Sequence, residues 1–216
     1  MKKNDSIVVD PATTADTIHK TYLALGDSYT IGESVADTQR FPVQTVRFLK
    51  EHNIDIANPD IIARTGWTTA DLLNALNASV PTKTYSVVTL LIGVNNQYQG
   101  KSLDEYKTGF TELLNRSLIY AGNNKNHVFV ISIPDYSVTP FASASDTARI
   151  AREIDTFNAV NKSISSSSGV HYLDITPISR DAKSDPSLIA DDGLHPSAIQ
   201  YERWSELLAP MMLKEF

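Results

Sequence analysis

The chain has 216 residues, 42% of them apolar and 20% charged, with a formal net charge of −6 and no cysteine. This is the composition of a folded domain with a sizeable core, and the missing cysteines exclude disulfides, thiolate catalysis and thiolate-bound zinc. An acidic balance without any Lys/Arg cluster excludes nucleic acid and anionic membrane surfaces as expected partners, and no run approaches the ~18 apolar residues of a membrane span, so no stable membrane insertion is expected.

Residues 1–19 lack hydrophobic periodicity and carry Pro11 among Thr, Ala and Asp, which predicts a flexible N-terminal arm ahead of one domain over 20–216. Lys2 and Lys3 are followed by no apolar core of the ~7–15 residues a signal peptide needs. The sequence as it stands therefore predicts a cytoplasmic location, and a periplasmic or secreted one if a signal peptide has been removed. "TYLALG" (21–26) reads as a buried strand. "RFPVQTVRFLKEHN" (40–53) sets Val43, Val46, Leu49 and Lys50 at helical spacing, with Pro42 where a first turn tolerates it. "IDIANPDIIAR" (54–64) reads as a strand in which Pro59 marks a bulge or an edge. "TTADLLNALNAS" (68–79) is a short helix with a threonine cap.

"YSVVTLLIG" (85–93) is the most apolar run and predicts a central strand. "SLDEYKTGFTELLNRSLIYAG" (102–122) opens with Ser102 and Glu105 at capping-box spacing. Leu103, Tyr106, Phe110, Leu113, Leu114 and Leu118 then share one helical face, and Gly122 is a stop. "HVFVISI" (127–133) is the fourth strand. "TARIAREIDTFNAVNKSI" (147–164) is a helix with Ile150, Ile154, Phe157, Val160 and Ile164 on one face. Ser165 to Ser168 read as a short polar connector, "GVHYLDI" (169–175) as the fifth strand, and "SAIQYERWSELLAPMML" (197–213) as the closing helix. Strand and helix alternate without repeat or linker, which implies a parallel sheet with helices on both faces. Functional residues of such sheets gather at the carboxyl ends of the strands.

Ser28 lies there, two residues beyond the first strand. A serine at that place can cap a helix, and as a nucleophile it needs a base elsewhere. Of the five histidines, His19 is in the arm, His52 ends a surface helix, and His127 and His171 begin strands at the far end of the sheet. His195 sits in "DDGLHPS", an acid-glycine-histidine-proline turn that can bring the Asp192 carboxylate to the imidazole Nδ1. Asp191, Asp135, Asp174 and Asp27 are rival acids. Trp67, Tyr98, Tyr136 and Phe141 lie in loops at the same edge. Singly each reads as a loop anchor, and together they suggest an apolar substrate pocket with Arg64 and Gln97 at its rim. No metal-binding or nucleotide-binding motif is present, so no cofactor is expected.

"ALGDSYT" resembles the first block of the GDSL/SGNH hydrolase family, and "DDGLHPS" its last, with the D-x-x-H spacing. "NPDIIARTGWTT" resembles the block that presents an oxyanion-hole glycine, here Gly66. "LLIGVNNQY" resembles the G-x-N-D block, here with Asn95 followed by Asn96 where the family usually has Asp. The resemblance implies a three-layer α/β/α flavodoxin-like fold with a five-stranded parallel sheet, and hydrolysis of small-molecule carboxylic esters through an acyl-enzyme. It implies Ser28 as nucleophile, His195 as base and Asp192 as orienter. The oxyanion hole would come from the N–H groups of Ser28 and Gly66 and the Asn95 amide. Tyr29 stands where the family has its namesake leucine. The same residues would also serve an acyltransferase, and a ligand-binding protein could keep the fold without the chemistry.

Overall fold

The computed structural model describes residues 19–216, and the arm expected over residues 1–19 lies, His19 apart, outside them. Five parallel strands form one sheet: β1 (Tyr22–Gly26), β2 (Asp60–Ala63), β3 (Val87–Leu91), β4 (Val128–Ile131) and β5 (His171–Leu173), in the order β2-β1-β3-β4-β5. This is the flavodoxin-like order, with its switch point at β1 and β3. Every residue of β1, β3 and β4 is buried, as strands covered on both faces require. β2 is the edge strand that Pro59 foretold, but it is shorter than the apolar run. Pro59 has no N–H to give to a ladder, so pairing begins at Asp60 opposite Leu23, and Ile56 only bridges to Lys20.

Among the described residues eight α-helices fill the connections: α1 (Ser28–Ile31), α2 (Phe41–Glu51), α3 (Thr69–Ala78), α4 (Val94–Tyr98), α5 (Leu103–Tyr120), α6 (Thr147–Ser168), α7 (Thr176–Asp181) and α8 (Ala198–Leu213). α2 packs along α8, where Phe41 meets the rings of Tyr201 and Trp204 at centroid distances of 6.4 and 6.1 Å. α3, α5 and α6 pack side by side in another layer. Thr68 and Asp71 close a capping box at α3. Ser102 caps α5 by accepting from the Glu105 N–H, while the Glu105 carboxylate lies 3.7 Å from Lys101 Nζ. No described helix is long and apolar enough to cross a membrane.

Two expectations change. Ser165 to Ser168 are not a connector but the last turn of α6. Ser165 is buried and its hydroxyl donates back to the Asn161 carbonyl at 2.7 Å, so a residue type that reads as loop is satisfied inside the helix. The helix stops at Gly169, in the left-handed region at φ 69°. The other change is the presence of α1, α4 and α7, of four, five and six residues, too short to leave a periodic trace.

The turn from β1 into α1 is tightly built. A Cβ on Gly26 would overlap the Leu91 carbonyl oxygen and the Thr30 side chain, so only glycine fits there. Asp27 is fully buried, and its Oδ1 accepts from the Tyr29 N–H at 3.1 Å, capping α1. Burial pushes its carboxyl up to about 7, against the lowering effect of the backbone N–H bonds it accepts. The native state therefore keeps a proton that the unfolded chain releases near its ordinary value of 3.8. Stability from this group is present at acid pH and is lost as pH rises from about 4 through about 7. Asp27→Asn, which keeps the capping oxygen and cannot ionise, should flatten that decline; urea unfolding midpoints at pH 4.5 and 7.5 for both proteins measure it.

Candidate active site

The strand order decides which loops meet. β2 and β3 flank β1, so the chain leaving each of them passes beside the start of α1. Ser28, the first residue of α1, is only 5% exposed. His195, in the turn before α8, brings its Nε2 to 3.0 Å from Ser28 Oγ. Its Nδ1 lies 2.5 Å from Asp192 Oδ2. A carboxylate can only accept, so Nδ1 carries the proton and Nε2 is left to accept from the Ser28 hydroxyl.

The His195 turn is held from several sides. Asp192 Oδ1 accepts the N–H groups of Leu194 and His195, both at 2.9 Å. The Ala190 N–H donates to the His195 carbonyl at 2.8 Å, and the Phe141 N–H to the Gly193 carbonyl at 3.0 Å. Tyr29 sets its ring edge-on to the imidazole at 5.4 Å. Partial burial of Asp192 opposes its charge, but hydrogen bonds from His195, Ser34 and the two N–H groups outweigh it and hold the carboxyl well below the usual range. It thus stays ionised at neutral pH.

Ser28, His195, Gly66 and Asn95 all line one cavity of about 140 Å³ with mostly apolar walls. Gly66 adopts φ 83° and a Cβ there would meet nothing within 4 Å, so backbone conformation, not space, asks for glycine. Asn95, in α4, donates from Nδ2 to the Trp67 carbonyl at 3.0 Å, which ties the loop after β3 to the loop after β2. Asn96 is fully buried; its Oδ1 accepts the Thr69 N–H at 3.0 Å and its Nδ2 donates to Thr69 Oγ1 at 2.9 Å. Its amide serves the start of α3, a task that needs both a donor and an acceptor and no charge.

The expected pocket residues divide. Tyr98, Tyr136 and Phe141 line the cavity and pack their rings together at 6.0 to 6.3 Å. Tyr136 is buried, whereas Tyr98 and Phe141 are 59% and 48% exposed at the mouth. The Tyr136 hydroxyl donates to Gln97 Oε1 at 3.0 Å, Gln97 Nε2 to Glu153 at 2.6 Å, and Arg149 to the same carboxylate at 3.0 Å. Gln97 is therefore a buried brace, not a rim residue. Arg64 and Trp67 do not line the cavity: Arg64 is exposed, and the Trp67 ring packs on the core while its carbonyl meets Asn95.

The rival acids are engaged elsewhere. Asp135 pairs with Arg180 at 2.8 Å, Asp174 accepts from Ser132 and Thr176, and Asp27 caps α1. Asp191 is exposed. Sequence reading passed over Tyr29, Thr65, Val94 and Leu194, which complete the cavity wall. Each adjoins a motif residue, which is the one signal that would have found them. Among the described residues, no group of three or more His, Asp or Glu could hold a metal ion.

Solved structures share the architecture. A lipase, Lip_vut3, from a goat rumen metagenome aligns with a TM-score of 0.71 at 20% identity, over 89% of this chain and 97% of that one. Axe2, an acetylxylan esterase from Geobacillus stearothermophilus, gives 0.63 at 19% identity, over 91% and 93%. A lipase/acylhydrolase from Enterococcus faecalis gives 0.64 at 20% identity, over 90% and 94%. No curated protein sequence matches the chain. At such identities the structures speak for the fold alone. The family model that matches residues 24–203 speaks for more, because it runs from within β1 into α8 and includes all five segments that line the cavity: the chain is an ester-hydrolysing enzyme of the GDSL-like Lipase/Acylhydrolase family.

Proposed function

We propose that Ser28 is the nucleophile, His195 the general base and Asp192 its orienter, in hydrolysis of small carboxylic esters through a covalent acyl-enzyme. The observation that carries this reading is the unbroken line from Asp192 Oδ2 to His195 Nδ1 at 2.5 Å and from Nε2 to Ser28 Oγ at 3.0 Å, ending at the cavity. Ser28 Oγ attacks the ester carbonyl and its proton passes to Nε2. Asp192 stabilises the imidazolium that forms. The N–H groups of Ser28 and Gly66 and the free hydrogen of the Asn95 amide receive the oxyanion. The imidazolium then protonates the leaving alcohol, and water repeats the sequence to release the acid.

The cavity also bears on the substrate. Its volume is about 140 Å³, close to the ~150 Å³ apolar cavity that holds a benzene molecule. Away from Ser28, Thr65, Asn95 and His195 its walls are aromatic and aliphatic side chains. An acyl or aryl group of roughly six carbons fills such a space, and an acetyl group leaves most of it empty. On a panel of esters with one alcohol and lengthening acyl chains, kcat/KM should peak at medium chains, not at acetate. A maximum at acetate would overturn the assignment of acyl size and leave the chemistry untouched.

A serine-directed phosphonate should label Ser28 and stop turnover in step with labelling. Labelling at another residue with activity retained would remove Ser28 from its role. Asn95→Ala should lower kcat by ~10² with a smaller change in KM, because the donor matters most once charge has developed on the substrate oxygen. It should also cost about 1 kcal/mol of stability, since the Trp67 carbonyl loses its partner. Near-normal kcat in a folded Asn95→Ala would leave the oxyanion to the two backbone donors.

A further inference from the structure

Just past α1 the chain turns through two left-handed residues, Gly32 at φ 72° and Ser34 at φ 64°. Glycine adopts that conformation freely, but a serine seldom does. The turn is anchored to the nucleophile itself, for the N–H groups of Gly32 and Glu33 both donate to the Ser28 carbonyl at 3.1 Å. From this anchor two side chains reach two other segments. Ser34 Oγ donates to Asp192 Oδ2 at 2.7 Å, the same oxygen that faces His195 Nδ1. The Glu33 carboxylate accepts the hydroxyl of Thr65, next to Gly66.

We propose that the Gly32–Ser34 turn is a clasp that sets the orienting carboxylate and the Gly66 loop in place relative to Ser28, with Ser34 and Glu33 as positioning residues. The inference rests on the roles given above to Ser28, Asp192, His195 and Gly66. The other side-chain oxygen of Asp192 is held only by N–H groups of its own turn. Ser34 is the bond that ties Asp192 to the segment carrying the nucleophile, 158 residues away in the chain. That bond does two things. It fixes the carboxylate rotamer so that Oδ2 meets Nδ1, and it draws charge from that oxygen. Without it Asp192 holds the Nδ1 proton more tightly and favours the imidazolium. The other ionisable groups close to this pair are Glu33 on the turn, Asp27 and Tyr29 at the start of α1, Asp191 beside Asp192, Asp135 on the segment after β4, and Tyr201 on α8. None of them accepts from or donates to the Asp192 carboxylate.

Ser34→Gly is the sharper test, because glycine keeps the φ of 64° and loses only the hydroxyl. Ser34→Ala is the second variant. Both should lower kcat/KM about tenfold, with KM changed by less than about twofold, a milder loss than the ~10² of a 1 Å misplacement. Both should also move the acid limb of the kcat/KM profile to higher pH, by several tenths of a unit on the order expected for one lost hydrogen bond acting through Asp192. Glu33→Ala should lower kcat by about tenfold, and Glu33→Gln, which still accepts from Thr65, should restore it to within about twofold. Ser28→Ala, measured beside them, should be inactive. Wild-type kcat/KM and an unmoved acid limb in Ser34→Gly would overturn the role of Ser34, and wild-type kcat in Glu33→Ala that of Glu33. Retained activity in Ser28→Ala would instead overturn the active-site reading and the clasp with it.

Discussion

The carboxyl end of β1 is the point from which the site is laid out. β1 is hydrogen-bonded on both edges, to β2 and to β3, so its last residue has no freedom to shift. Gly26 lets the chain turn against Leu91 without a side chain between them, and Asp27 caps the four residues of α1 at once. Ser28 thus leaves a fully paired strand and enters a capped helix within two residues. In the proposed mechanism this fixes the hydroxyl that faces the imidazole, which matters because attack needs the reacting atoms within about 3–3.5 Å.

That placement has a cost in the same three residues. The Asp27 carboxyl is buried, its Oδ2 has no hydrogen-bond partner among the described residues, and burial raises its proton affinity. Asp192 stands at the opposite extreme, with four hydrogen bonds that favour its charge. Two carboxyl groups near one serine are thereby driven apart, one holding its proton up to about pH 7 and one kept ionised beside the imidazole. Environment separates them, since the side chains are the same.

Much of this was legible in the chain itself. Continuous apolar runs marked β1, β3 and β4, because strands covered on both faces cannot alternate, whereas the edge strands β2 and β5 carry polar residues and are only partly buried. Thr68 and Ser102 announced their helices by local hydrogen bonding that needs no tertiary partner. Ser28, Asp192 and His195 stood out because each lies in a turn rich in residues that serve turns, and His195 has its acid three positions away. Ser34 and Glu33 were not legible, since their partners are 158 and 32 residues distant and nothing local distinguishes them. Trp67 was misread for a related reason. Its neighbours at the strand end face the cavity, but whether a loop side chain points inward is fixed by packing that no local pattern records. The last turn of α6 was missed because four serines read as loop until one of them is buried.

The bracing of Tyr136 has a consequence for how this enzyme can change. The ring that walls the cavity is held by Gln97, which is held by Glu153, which is held by Arg149 in the first turn of α6. Arg149 is largely exposed, and its hydrogen bonds go to Asp146 and Glu153 and not to Ser28, Asp192 or His195. Mutation along that helix can thus loosen the wall without touching the chemistry, and a descendant could acquire a new preferred ester while its reactive machinery stayed as it is. Divergence in such a lineage would be recorded in the braces behind the pocket before it was recorded in the pocket itself.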